Sequence, residues 1–130
     1  MADLKEIAVA LLSTTTLDVQ TATQTTLYTV PTGKRLVLDH VKVINGSIAS
    51  PTAGLSFGQS TAQTDFLGEQ TMTNLAAQYD CCICAPVPNA TPVKTKSYAA
   101  GIIIQCDVAT ADADGATDCS VMLFGTLYDA

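Results

Sequence analysis

Apolar and polar residues alternate with a period of two over much of the chain, the pattern of strands with one buried face. The alternation is cleanest from Ser97 to Val108, where Tyr98, Ala100, Ile102, Ile104, Cys106 and Val108 share one parity. This predicts one long strand over 97–108. Thr25 to Val30 predicts another strand, Pro31-Thr32-Gly33-Lys34 a turn, and Arg35 to Ile44 a further strand closed by Asn45-Gly46. Proline presets φ at the first corner of such a turn and glycine tolerates positive φ, so the unit reads as a hairpin. Within 35–44 the apolar parity changes, from Leu36 and Leu38 to Val41 and Val43, which predicts a bulge or bend near Asp39 and His40.

Shorter strands are expected at Gly54–Phe57, Thr71–Leu75 and Gln78–Ala85, after which Pro86, Pro88 and Pro92 end regular pairing. Loop 109–118 then leads to a last strand, Cys119–Tyr128, with bulky apolar residues on both faces: Val121 and Leu123 on one, Met122 and Phe124 on the other. Asp3 to Leu12 fits a helical stripe through Leu4, Ile7, Ala8 and Leu11, with Asp3 and Glu6 spaced as a capping box. It also fits alternation through Ile7, Val9 and Leu11, and the β-branched, Thr-rich continuation to Thr26 favours an extended arm or strand. Residues 1–24 are therefore expected to hold an arm plus a first strand. Together these elements predict a single all-β domain over 1–130, an antiparallel β-sandwich of jelly-roll type.

Composition narrows the function. Charged residues make up 14% of the chain, against roughly 25% in soluble domains, while 48% is hydrophobic. So little solvated surface implies that part of the exterior is covered by partners. The net charge of −6 and the lack of a basic cluster argue against nucleic acid. No apolar run approaches a membrane span and no export signal opens the chain, so a soluble, unexported protein is expected.

Five cysteines, at 81, 82, 84, 106 and 119, are odd in number and clustered, which favours reduced thiols over a disulfide framework. Cys82 and Cys84 share one face of a strand and Cys81 the other; this is not the Cys-x2–4-Cys spacing of structural zinc, and small-hydrophobe roles are favoured. His40 is the one histidine; its neighbour Asp39 should point to the opposite face, which would preclude a catalytic dyad. Asp112, Asp114 and Asp118 surround Gly115 without the terminal glutamate of a calcium loop and read as a solvated acidic loop. No nucleophile elbow, zinc-protease motif or phosphate-binding loop is present. No catalytic, cofactor or metal site is expected.

The stretch Leu27-Tyr28-Thr29-Val30-Pro31-Thr32-Gly33-Lys34-Arg35-Leu36-Val37-Leu38, with Val41-Lys42-Val43-Ile44-Asn45-Gly46, resembles a segment of small structural proteins of tailed bacteriophages. The ending Val121-Met122-Leu123-Phe124-Gly125-Thr126-Leu127-Tyr128 is similar to their closing strand. Those proteins include head decoration (cement) proteins and tail or adaptor components, commonly β-sandwiches that assemble on the virion. The resemblance implies a homo-oligomer, with a trimer favoured, made in the host cytoplasm and bound to the exterior of the major capsid protein lattice. It implies no catalytic residues. Interface candidates, chosen for exposed apolar character, are Leu4, Ile7 and Leu11 in the arm and Met122, Phe124 and Tyr128 in the last strand. A tail, connector or host-binding tip component, recognising its target through loops 48–51 and 109–118, is the alternative within this class. A metal- or thiol-dependent enzyme built on the cysteines and His40 is the alternative outside it.

Overall fold

A computed structural model describes residues 9–86 and 96–130; the predictions for Leu4, Ile7, the Asp3–Glu6 capping box, Pro88 and Pro92 lie outside them. Among the described residues nine strands form: β1 (Ala10–Leu17), β2 (Gln24–Thr29), β3 (Lys34–Ile44), β4 (Gly54–Gln59), β5 (Ala62–Thr71), β6 (Cys81–Cys84), β7 (Ser97–Tyr98), β8 (Ile103–Thr110) and β9 (Cys119–Asp129). They build two antiparallel sheets. The first runs β1-β9-β3-β6, with β7 also pairing β3; the second runs β2-β8-β4-β5. The prediction of an antiparallel β-sandwich holds.

Sheet membership changes at almost every connection, and two sequence expectations fail for that reason. The turn after β2 forms as expected, with the Lys34 amide donating to the Pro31 carbonyl and Gly33 at φ +77°. It does not close a hairpin, because β2 pairs β8 in one sheet and β3 pairs β9 in the other. The single strand expected over 97–108 is likewise two: β7 belongs to the first sheet and β8 to the second. Between them the chain turns through Gly101 at φ +84°, and Ala100 of the supposed apolar face is exposed.

The register of β3 against β9 shifts between Leu38 and His40, where the parity break placed it. Leu36 and Leu38 before the bulge, and Val41 and Val43 after it, all reach the core; without the extra residue one pair would point to solvent. In β9, Cys119, Val121, Leu123 and Leu127 are buried, and the strand lies between β1 and β3. Facing them from the second sheet are Leu55, Phe57, Ile104, Cys106 and Val108. Strand β5 is absent from the sequence reading, which placed a strand at 71–75 instead. Of its ten residues only Phe66 is buried, so an edge strand this polar carries no alternation to detect.

Polar groups tie the sandwich at both ends. At one, the Tyr98 hydroxyl in the first sheet donates to Asp65 of β5 at 2.8 Å, and Lys96 approaches the same carboxylate at 3.5 Å. At the other, fully buried Asn45 donates to the carbonyls of Leu75 and Ala77 and accepts from the Ser50 hydroxyl and the Cys119 thiol. Buried amides are tolerated when all their hydrogen-bonding capacity is used. Asn45 thereby locks loop 45–50 to loop 75–80 and to the start of β9.

Candidate interaction surface

Residues directly opposite each other in an antiparallel pair share a face, so register identifies the outward positions of the first sheet. One row across it is Leu11, Phe124 and His40; the next is Thr14, Met122, Lys42 and Ile83; a third is Thr16, Ser120, Ile44 and Cys81. Tyr128 lies opposite Arg35 at the far end of β9 and β3. Leu11, Met122, Phe124 and Tyr128, selected from distant parts of the chain, thus converge on one outer surface. Leu11 is 49% exposed and Tyr128 39%, while Met122 and Phe124 are half-buried. Ile83, 66% exposed, is the most open apolar residue of this sheet. It is not among the sequence-chosen candidates, although its parity opposite Cys82 and Cys84 is visible in the sequence.

The second apolar face of β9 is partly covered by its own sheet. His40 stacks on Phe124 with ring centroids 4.6 Å apart and planes 11° from parallel, and the Lys42 ammonium lies 5.9 Å from the Phe124 centroid. His40 also meets Asp39, with Nδ1 2.6 Å from the carboxylate. This overturns the expectation that the pair points to opposite faces. The β-bulge is the cause: two residues of β3 stand against one of β9, so alternation lapses between them. With Phe124 against its ring and Asp39 on Nδ1, His40 acts as a fixed part of the surface.

At the end of this face, Arg35 Nε donates to the Ser97 hydroxyl, which shares a 2.9 Å hydrogen bond with the Tyr128 phenol. The Ser97 and Arg35 hydrogen bonds hold that phenol below its ordinary value. Lys34 pairs with Asp129 at 2.7 Å. Arg35 and Lys42 both project outward here, so an acidic chain presents positive charge beside its exposed apolar side chains.

The outer face of the second sheet differs. Its outward positions include Gln24, Thr26, Gln105 and Asp107, with Gln63 donating to Gln105 at 3.0 Å. These positions are mainly polar, with half-buried Ile103 opposite Thr29 among them.

Loops 48–51 and 109–118 come together at the Asn45 end around an open hollow lined by Ile48, Ala49, Pro51, Thr52, Asp112 and Asp114. Asp112 is not the solvated side chain expected: it is 7% exposed and accepts from the amides of Thr52 and Asp114. Burial opposes its ionisation, but those hydrogen bonds outweigh it and hold the carboxyl below its ordinary value. Asp118 accepts from the Ser47 hydroxyl at 2.8 Å. These aspartates brace neighbouring loops. Among the described residues, no three His, Cys, Asp or Glu side chains gather as metal ligands.

No protein-family model matches the chain, and no curated protein matches it significantly in sequence. A solved structure does match: a chain described as "Cyanophage Pam1 capsid asymmetric unit", with a TM-score of 0.61 over 95% of this chain and 84% of that one. Sequence identity is 18%, so the likeness is one of fold.

Proposed function

We propose that this chain is a structural protein of a tailed-phage virion and acts as a head decoration protein. It would bind the capsid exterior through the outer face of the first sheet, without catalysis. The observation that carries this reading is the convergence of Leu11, Ile83, Met122, Phe124 and Tyr128 on that face, with Arg35 and Lys42 among them. The fold shared with a chain of a cyanophage capsid supports it. The strand order supports a jelly roll: with the two-residue β7 set aside, sheets 1-9-3-6 and 2-8-4-5 connect as two interlocked Greek keys. A trimer is the proposed state, as the resemblance to head decoration proteins implies. Synthesis in the host cytoplasm follows from this role.

Size-exclusion chromatography with light scattering, alone and with heads assembled without this chain, tests the proposal. An oligomer that co-elutes with heads is expected. Ile83→Lys and Met122→Lys should each weaken head binding by more than about tenfold, since the added ammonium would be desolvated beside Lys42 with no opposite charge across the strand. Thr26→Lys, on the second sheet, should leave binding intact. A monomer indifferent to heads would contradict the reading.

A second reading, a tail, connector or host-binding tip component, is favoured by the way loops 48–51 and 109–118 form one surface at the Asn45 end. Copy number separates the two. Hundreds of copies per particle belong to decoration, and a dozen or fewer to a connector or tip.

A further inference from the structure

The cysteine cluster has a partner that the strand pattern alone does not reveal. Alternation in β6 turns Cys82 and Cys84 inward and leaves Cys81 and Ile83 outward. Met72, just beyond the end of β5 in the other sheet, is buried and brings its Sδ to 3.7 Å from Cys82 Sγ. Cys82 and Cys84 share the inward face of β6 and line the same groove as Met72. Three sulfur atoms from opposite sheets therefore meet at the flank of the sandwich. They line an open groove of about 180 Å³ together with Leu67, Asn74 and Ala85, so an ion has a route in from solvent.

We propose that Met72, Cys82 and Cys84 form a three-sulfur site for a soft monovalent d10 cation, copper(I) or silver(I). Thiolate and thioether sulfur select such ions over hard cations. Zinc fits poorly, because its structural sites need four ligands and no further His, Cys, Asp or Glu joins this group among the described residues. Metal–thiolate bonds of about 2.3 Å put the sulfurs of a trigonal site roughly 4 Å apart, close to the Met72–Cys82 separation of 3.7 Å. Binding replaces the two thiol protons, which leave to solvent, and forms two metal–thiolate bonds and one metal–thioether bond; an ion supplied as the monovalent form undergoes no redox change.

The test is anaerobic titration of the reduced full-length chain with silver(I) and with copper(I), read by native mass spectrometry and by X-ray absorption at the metal edge. One tightly held ion with three sulfur neighbours is expected, in the wild type and in Cys81→Ser alike. Met72→Leu conserves volume and should keep the fold. It should reduce the shell to two sulfurs and weaken binding by at least the roughly tenfold that losing even an outer-shell partner costs. Cys82→Ser should abolish tight uptake. An ion count that follows Cys81, a sulfur shell unchanged in Met72→Leu, or no ion retained by the wild type at micromolar concentration would each overturn the assignment.

Discussion

Asn45 satisfies four partners with one side chain, and its own amide and carbonyl bond to Asp80 and Tyr79. Replacing it with leucine would leave the Ser50 hydroxyl without its acceptor and remove one of the two hydrogen bonds at each of the Leu75 and Ala77 carbonyls, which keep only the Ser50 and Asp80 amides. Asn45→Leu should therefore cost about 2–4 kcal/mol in urea unfolding. Asp112 makes a pH-dependent contribution whose sign follows from its depressed pKa. A carboxyl held below its ordinary 3.8 in the folded state stabilises the fold above that value and loses the contribution as pH falls through the folded value. Stability should thus drop on acidification below about pH 5. Asp112→Asn, which leaves an amide facing the Thr52 or Asp114 donor, should be about 1–2 kcal/mol less stable at neutral pH and show a shallower acid limb. A mutant acid limb as steep as the wild type's would remove Asp112 from this role. That role was not legible in the sequence, since an Asp-x-Asp-Gly loop looks the same whether its first carboxylate faces water or two amides. The Asp39–His40 contact is hidden in the sequence for a related reason: strict alternation lapses at the very bulge that the parity of Leu36, Leu38, Val41 and Val43 locates.

At the scale of elements, burial periodicity was readable where a strand has one wet face and one dry one. β3 was drawn almost to its ends because Leu36 to Val43 carry that contrast, while β9, apolar on both faces, was drawn from its run of bulky residues after the acidic loop 109–118. β5 was lost because its polar edge has no contrast, and β4 was drawn short because every residue from Gly54 to Gly58 is buried. Partner choice was invisible. Nothing local distinguishes a turn that reverses within a sheet from one that crosses between sheets, so the segment after Val30 read as a hairpin and 97–108 as one strand. Gly101 marks the second crossing. A Cβ there would meet nothing within 4 Å, so the penalty of substitution is one of backbone alone. Gly101→Ala should cost about 1 kcal/mol, the price of a side chain at positive φ, with an unchanged denaturant slope. A cost near zero would show that the crossing relaxes to negative φ.

For the whole molecule, the decisive property is the difference between two outer faces. One carries exposed Leu11, Ile83 and Tyr128 with Met122, Phe124, Arg35 and Lys42; the other carries Gln24, Thr26, Gln105 and Asp107. That four sequence-chosen residues share the first face was legible only as a list, since their convergence depends on β9 lying between β1 and β3. On the function proposed here, a partner surface covers that face, which accounts for a chain with so few charged side chains. A reconstruction of the assembled particle, resolved well enough to tell the two sheets apart, tests this most directly. The β1-β9-β3-β6 face should lie against a neighbouring subunit, with the glutamine-lined face turned to solvent. Density showing Ile83, Met122 and Tyr128 open to solvent while Gln24 and Gln105 make the contacts would contradict the account.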